Sequence, residues 1–447
     1  MDNSITEKLY RVIDAKKEEI AAFGEKIYKN PETGFKEFET AKATANKLNE
    51  AGIKFEALKC IPGIRATLDT GKEGPGVAVL GEMDAVICSS HPHCNVSTGA
   101  VHACGHNIQL AAMIGAAVGI MDSGILGELS GKIHFIAVPA EEFIEMEYRK
   151  SLKDRGIIKY LGGKAELLRQ GFFDDVDICI MIHSRPDGRK ISIESSSNGF
   201  LVKKIKYTGR ASHAGGAPHE GINALYAANL GLMAINSVRE TFRDEDFIRV
   251  HPIITKGGEI VNAIPADVRV ETLVRGKSMD AILDAARKVD RALAGGACAL
   301  GAEVEIENMP GYFPLIVDKK LASITLRLAQ ELTGEDDVPT LGHSAISTDL
   351  GDLAALMPVI EISTGGVTGG LHSADFRNID PDVSYLLSAK ILAGLAASLL
   401  CDKSALAKEV LSGYHPQFKS KREYFSFVDR LFSITTGCCR MNRSDVT

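Results

Sequence analysis

The sequence predicts an α/β protein in which a mostly parallel central sheet is interrupted by a smaller inserted α+β domain. Three observations predict it. Short apolar runs at 77–80, 133–138, 178–182 and 358–362 read as strands, and each leads into carboxylate or histidine residues. An apolar, Ala/Gly-rich run at 108–121 lies between two of them. Between 195 and 308 the pattern changes to strands alternating with two longer helices, as an α+β unit with one solvated sheet face would require. The 447 residues exceed the roughly 150 of a typical domain, which leaves room for both. The expected division is 1–194 with 309–415 for the larger domain, 195–308 for the insertion, and 416–447 for a C-terminal extension.

The elements follow in order. Residues 5–23 repeat Ile5, Leu9, Val12, Ile13 and Ile20 at helical spacing and predict one amphipathic helix. Asn30-Pro31 marks a turn, and a second helix runs over 37–51 to Gly52. Strands at 64–68 and 77–80 follow, the second ending in Glu82-Met83-Asp84. The strand at 133–138 ends in Pro139-Ala140-Glu141-Glu142, and that at 178–182 ends in His183. The strand at 358–362 precedes a Gly-rich loop carrying His372. Ligand and catalytic groups of open α/β sheets collect outside the carboxyl ends of the strands, so these side chains are expected at one edge. In the insertion, 201–207 mixes apolar residues with lysines and reads as a half-buried strand. A helix at 222–239, a strand at 268–275, a helix at 279–300 and a strand at 304–306 complete it, and a helix at 318–332 resumes the larger domain. The mostly polar end, 437–447, is expected to be poorly ordered.

Composition narrows the function. A 45% hydrophobic and 24% charged chain is ordinary for a globular protein. A net charge of −7 without a dense basic patch argues against nucleic acid as a partner. The sequence has no uninterrupted apolar run near the ~20 residues that span a bilayer, and its first residues are not a secretory signal, so no membrane partner is expected. Nine cysteines without regular spacing suit a reducing compartment, and a cytoplasmic location is expected.

The stretch Val101-His102-Ala103-Cys104-Gly105-His106-Asn107 places a thiol and an imidazole within one turn of chain. Alone, it fits a metal ion or a buried cysteine beside a capping histidine. The acids and histidines at four strand ends favour a shared metal site.

These residues carry a resemblance. Asn30-Pro31-Glu32, Met83-Asp84-Ala85, the Cys104/His106 stretch, Pro139-Ala140-Glu141-Glu142, Ser212-His213-Ala214, Asn262-Ala263-Ile264-Pro265, Ser347-Thr348-Asp349 and His372-Ser373 occur in the order found in the M20 metallopeptidase and amidohydrolase family. The chain resembles the branch that holds N-acyl-amino-acid, indole-acetyl-amino-acid and p-aminobenzoyl-glutamate hydrolases and related dipeptidases. The resemblance implies a zinc-peptidase-like fold with an inserted lid or dimerisation domain, and two divalent ions, Zn or Mn. It implies Cys104, His106, Glu142, His183 and His372 as ligands, with the thiolate bridging. It implies Glu141 as general base and Asp84 as the residue that orients a ligand histidine. From the insertion it implies His213 as an oxyanion donor, commonly to the partner subunit of a homodimer formed through that domain. Asn262 and Arg275 would hold a substrate carboxylate, and the Gly365-Gly366 and Gly369-Gly370 loop would let substrate approach closely. The expected substrates are N-acyl amino acids or dipeptides. The role of Glu82 stays open.

Two departures stand out. Residues 143–160 intervene between the glutamate pair and Leu161-Gly162-Gly163 and are expected as a lid or a restriction on substrate. Asn107 stands where many members carry Asp, and is read as compatible with activity. His91, His93 and Cys94 have the look of a small metal cluster but read as a variable loop near the substrate mouth. The competing expectations are a silent binding or scaffold subunit of the same fold, and a metallophosphoesterase, which would need phosphate-binding features the insertion lacks.

Overall fold

The computed structural model of the chain describes residues 3–334 and 338–437. The described residues form two compact units: one drawn from 3–196, 316–334, 338–343 and 352–419, and a second from 197–315, 344–351 and 420–437.

The first unit opens with helices α1 (Asn3–Ala15) and α2 (Lys17–Tyr28) rather than one helix over 5–23. The backbone breaks at Lys16 (φ −98°, ψ 8°), which lets each half bury its own stripe: Ile5, Leu9 and Ile13, then Ile20, Phe23 and Ile27. Helix α3 (Phe38–Glu50) leads to strands β1 (Phe55–Ala57), β2 (Ile64–Asp69) and β3 (Gly76–Glu82). Helix α4 (His106–Asp122) is apolar all round, and 106–120 are buried throughout, as expected of a helix enclosed on every side. Strand β4 (Lys132–Val138), helices α5 (Met146–Asp154) and α6 (Gly163–Arg169), and strands β5 (Ile178–Ser184) and β6 (Ile191–Ile193) follow.

The chain then enters the second unit through β7 (Gly199–Thr208). There it forms α7 (Ala224–Val238), β8 (Arg249–Val250), β9 (Ile253–Lys256), β10 (Asp267–Gly276), α8 (Met279–Leu300) and β11 (Glu303–Pro310). Asn223 and Ser278 cap α7 and α8 by accepting first-turn backbone N–H groups. The sheet is antiparallel in the order β8-β10-β7-β11, with β9 also paired to β10. Strand β7 is half-buried only in its second half, where Lys206 and Thr208 are exposed; Gly199 to Lys203 are buried on both faces. Lys203 is accommodated there because its ammonium donates to Asp290 (2.6 Å) and Asn308 (2.6 Å).

Back in the first unit, α9 (Lys319–Thr333), capped by Asp318, precedes β12 (Val359–Thr364), α10 (Ser388–Leu400) and α11 (Ala405–Gly413). The segment Asp382–Leu400 is long and apolar enough to cross a membrane, but 83% of it is buried inside the fold, where it packs against α4. The sheet order is β1-β2-β4-β3-β5-β12-β6. The inner strands β4, β3, β5 and β12 are parallel, with antiparallel strands at the edges. Their carboxyl ends lie on one edge. From Ser420 the chain joins the second unit: Ser420 caps α12 (Lys421–Leu431), and β13 (Ser433–Thr436) pairs with β11. Residues 416–437 are thus partly an edge strand and helix of the antiparallel unit, not a bare extension. The stretch expected to be disordered lies, from 438 on, outside the described residues.

Candidate metal centre

The groups of the site come from the carboxyl ends of parallel strands (Glu82, His183), from the segments after them, or from the start of α4. Gly105 stands just before α4 with φ +84°, and a Cβ there would meet Ser184 Oγ at 2.2 Å, so the tight turn between Cys104 and His106 requires glycine. His372 is itself left-handed (φ +59°) and tied by its N–H to Ala103 O at 2.8 Å.

Cys104, His106 and His183 bring ligand atoms within 4.8 Å of one another, as do Cys104, Glu142 and His372. Cys104 Sγ lies 3.4 Å from His183 Nε2 and 3.3 Å from His372 Nε2, so the sulfur is common to both groups. His372 Nε2 lies 3.0 Å from Glu142 Oε1. A third group joins Glu82, His106 and Glu141, with Glu141 Oε2 3.9 Å from His106 Nε2. All five residues set out as ligands, with Glu141 beside them, meet at this edge of the first unit.

Their other atoms are fixed from behind. His106 Nδ1 donates to Asp84 O (2.8 Å), with Asp84 Oδ1 3.2 Å away, which leaves Nε2 as the lone-pair nitrogen facing the site. Asp84 Oδ2 accepts the Glu142 N–H at 2.7 Å, so one aspartate orients two of the five. His183 Nδ1 donates to Ser184 O at 3.0 Å. His106 Nε2 faces Glu82 Oε2 at 3.1 Å, and Glu142 Oε1 faces His372 Nε2 at 3.0 Å. Imidazole and carboxylate atoms converging on a shared thiol fit a soft-to-borderline divalent cation. Cys104 points the same way: burial, with Glu142 beside it, pushes its thiol well above the usual range, so the thiolate needs a cation to exist here. Its bond to Glu142 raises His372 above the usual imidazole range, against burial.

Glu82, whose role the sequence leaves open, is fully buried. Its Oε1 accepts from the buried Lys164 ammonium and its Oε2 from Gln109 Nε2 at 2.7 Å, with His106 Nε2 3.1 Å away. Burial raises Glu82, but Lys164, with His106 and His183, holds it at about 2. Lys164 and Gln109 went unnoticed in the sequence; a lysine directly after two glycines that follow an insertion gives no periodic signal.

Asn107 turns away from the site, to Tyr385 OH (3.1 Å) and Gly24 O (3.4 Å). The 91–94 segment is held by hydrogen bonds rather than arranged around an ion: His91 Nε2 to Phe376 O (2.9 Å) and His93 Nδ1 to Tyr28 OH (3.0 Å). Within residues 143–160, helix α5 is anchored by the buried Arg149, which donates to Ala140 O and Glu142 O. Gly370 lies in the His372 turn, its N–H on Asp375 Oδ1 at 3.2 Å.

The remaining candidates belong to the second unit. His213 is exposed, and its Nδ1 accepts from Gly215 N (3.2 Å) and Gly216 N (2.9 Å), which places the ring proton on Nε2. Arg275 donates to Ser347 Oγ (2.7 Å) and lies 5.2 Å from the Phe200 ring centroid. Asn262 is exposed, and its carbonyl accepts the Ala214 N–H at 2.9 Å.

Residues 78–398 match the family model described as peptidase family M20/M25/M40. A Xaa-Arg dipeptidase of Mus musculus is 30% identical over 332 residues, 72% of this chain and 70% of the relative. The indole-3-acetyl-aspartic acid hydrolase of Enterobacter agglomerans is 28% identical over 263 residues, 55% of this chain and 55% of the relative. Among solved structures, an aminohydrolase described as putative, from methicillin-resistant Staphylococcus aureus, superposes with TM-score 0.72 at 23% identity, over 88% of this chain and 100% of that one. A dinuclear metal-binding peptidase of Bacillus subtilis superposes with TM-score 0.66 at 21% identity, over 87% and 99%; both likenesses concern the fold.

Proposed function

The chain belongs to peptidase family M20/M25/M40 and is a hydrolase of carbon–nitrogen bonds, and from that premise we propose that it cleaves the amide bond of N-acyl or N-aminoacyl amino acids, dipeptides included. The observation that supports this most is Cys104 shared between two ligand groups, with Glu141 adjacent. We assign two divalent ions, Zn or Mn, to Cys104, His106, Glu142, His183 and His372. When bound, such ions acidify water and polarise a carbonyl.

The chain's own residues do the rest. Glu141 takes the proton of the attacking water and returns it to the leaving amine, which requires a carboxylate beside the ligands and not among them. His213, with its proton on Nε2, is suited to donate to the oxyanion. We assign Arg275, stiffened by Phe200 and Ser347, together with Asn262 to the free carboxylate of the substrate, and the Gly370 turn to its close approach. An exposed apolar stripe, Tyr226, Leu230 and Met233 on α7 with Ile253 and Ile254 on β9, supports a homodimer through the second unit, in which His213 serves the partner's centre. No disulfide links the described cysteines, which supports a cytoplasmic enzyme.

The test is Glu141→Gln with a panel of N-acyl amino acids and dipeptides, Mn and Zn supplied separately. Metal content should stay at two per chain while kcat falls by about a thousandfold. Wild-type turnover in that variant would end the reading.

A further inference from the structure

Ala140, immediately before Glu141, has left-handed backbone (φ +57°), which a residue with a Cβ adopts only where its surroundings impose it. Two buried side chains, the Glu37 carboxyl and the Arg149 guanidinium, impose it here. The Ala140 N–H donates to Glu37 Oε1 at 2.7 Å. Its carbonyl accepts from Arg149 Nη1 at 3.1 Å and from Gly163 N at 3.3 Å. Arg149 also donates to Glu142 O through Nη2 and to Leu161 O at 2.5 Å. One guanidinium thus holds the carbonyls on both sides of Glu141.

The clamp is itself rigid. Glu37 is 0% and Arg149 1% exposed. The guanidinium carbon lies 5.5 Å from the Phe35 ring centroid and 5.3 Å from that of Phe143. At Gly34 a Cβ would meet Arg149 Nη2 at 2.5 Å, so the 31–37 loop presses directly on it. Glu145, at the start of α5, accepts from Thr33 (2.5 Å) and Lys36 (2.6 Å) and ties the 143–160 insertion to the same loop. A planar fork satisfying several carbonyls is a task for arginine, which lysine cannot repeat.

We propose that Arg149 and Glu37 are positioning residues that aim Glu141, and that the 143–160 insertion is retained to deliver that guanidinium. This rests on Glu141 being the general base. Neither residue is among the ligand groups, so metal binding and the aim of the base are separable.

The experiment compares Arg149→Ala, Arg149→Lys, Glu37→Gln and Glu141→Gln in the full-length, Mn-loaded protein on one dipeptide that the wild type hydrolyses. Arg149→Ala is expected to lower kcat about 30- to 100-fold, with KM within about twofold and metal per chain unchanged, since a base displaced by roughly 1 Å loses about that much. Added guanidinium ion should restore part of the loss in Arg149→Ala and leave the wild type unaffected. Glu37→Gln keeps an oxygen for the Ala140 N–H and should stay within about threefold. An unchanged kcat in Arg149→Ala, a loss that tracks departed metal or raised KM, or no recovery with guanidinium overturns the proposal. If Arg149→Ala does not fold, Arg149→Lys carries the same kcat-against-KM test. Full turnover in Glu141→Gln overturns the base reading; an inactive Glu141→Gln beside a fully active Arg149→Ala overturns the positioning alone.

Discussion

The two sheets treat buried charge in opposite ways. The parallel sheet of the first unit ends in a crowd of buried ionisable groups: Glu82, Asp84, His106, Glu141, Glu142 and Lys164 are all at most 8% exposed. The strands of the antiparallel sheet bury one charge among the described residues, Lys203, and neutralise it in the middle of the sheet rather than at an end. Parallel strands deliver their turns to a common edge, so charge gathered there is held ready for chemistry. Charge inside the antiparallel sheet serves only packing. The second unit's candidate catalytic group, His213, is correspondingly exposed.

Removing the Lys164 ammonium beside the parallel sheet's edge, on α6, and the Lys203 ammonium within the antiparallel sheet tests this contrast. Lys164→Met leaves the Glu82 carboxylate buried, with its Oε1 unpaired, among other acids, and should cost about 3–5 kcal/mol. Lys203→Met leaves Asp290, whose side chain is 16% exposed and reaches water, so about 1–2 kcal/mol is expected. Urea unfolding of both variants decides, and equal losses would erase the distinction. Adding Glu82→Gln to Lys164→Met should recover most of the stability, because no uncompensated charge remains.

His213→Ala sharpens the comparison from the other side. An exposed residue without a packing role should leave the unfolding midpoint within about 0.5 kcal/mol of wild type. It should nevertheless lower kcat about 100-fold, the usual result of losing one oxyanion donor. Mixing His213→Ala with Glu141→Gln tests whether the histidine acts across a dimer: hybrid dimers with one intact centre would restore activity that neither parent has. No recovery on mixing would confine His213 to its own chain or remove it from the reaction.

The fold was legible because parallel strands announce themselves. Runs such as 133–138 are apolar without alternation, and the acids and histidines sit just after them, so strand ends and site candidates are read together. What escaped was long-range or carried by backbone. Arg149 and Glu37 act on peptide groups of 140–142, and no side-chain pattern records a carbonyl partner. The partner of Glu82, Lys164, lies too far along the chain to suggest itself. Lys203 alternates onto the face of Leu201, Ile205 and Tyr207, and Asp290 and Asn308, distant in sequence, are what make its burial possible. The break at Lys16 was missed because the apolar spacing on either side keeps nearly the same phase across it. The edge strand Ser433–Thr436 is fully exposed and so carries no hydrophobic signal.

The last contrast is a pH dependence that only the parallel sheet should show. Glu361, on β12, is 3% exposed, and burial, with the Glu194 and Glu82 carboxylates adding to it against Lys164 and Arg185, pushes its carboxyl up to about 8. Glu194 stays committed to Ser363 Oγ (2.6 Å) and Arg185 Nη1 (2.9 Å) and offers Glu361 no compensation. The folded value exceeds the ordinary one of 4.5, so folding favours the protonated acid. Its contribution is complete below about pH 4.5, declines as the pH rises toward about 8, and is gone above that. Glu361→Gln fixes the neutral shape at every pH. It should nearly match the wild type near pH 5 and exceed it by up to about 5 kcal/mol near pH 9, read as a gap in thermal midpoint that opens with pH. No strand of the antiparallel sheet buries a carboxylate among the described residues, so no glutamate-to-glutamine change there should open such a gap. Midpoints of wild type and Glu361→Gln running parallel from pH 5 to 9 would mean that Glu361 ionises freely, and that this edge of the parallel sheet is more open to water than its packing indicates.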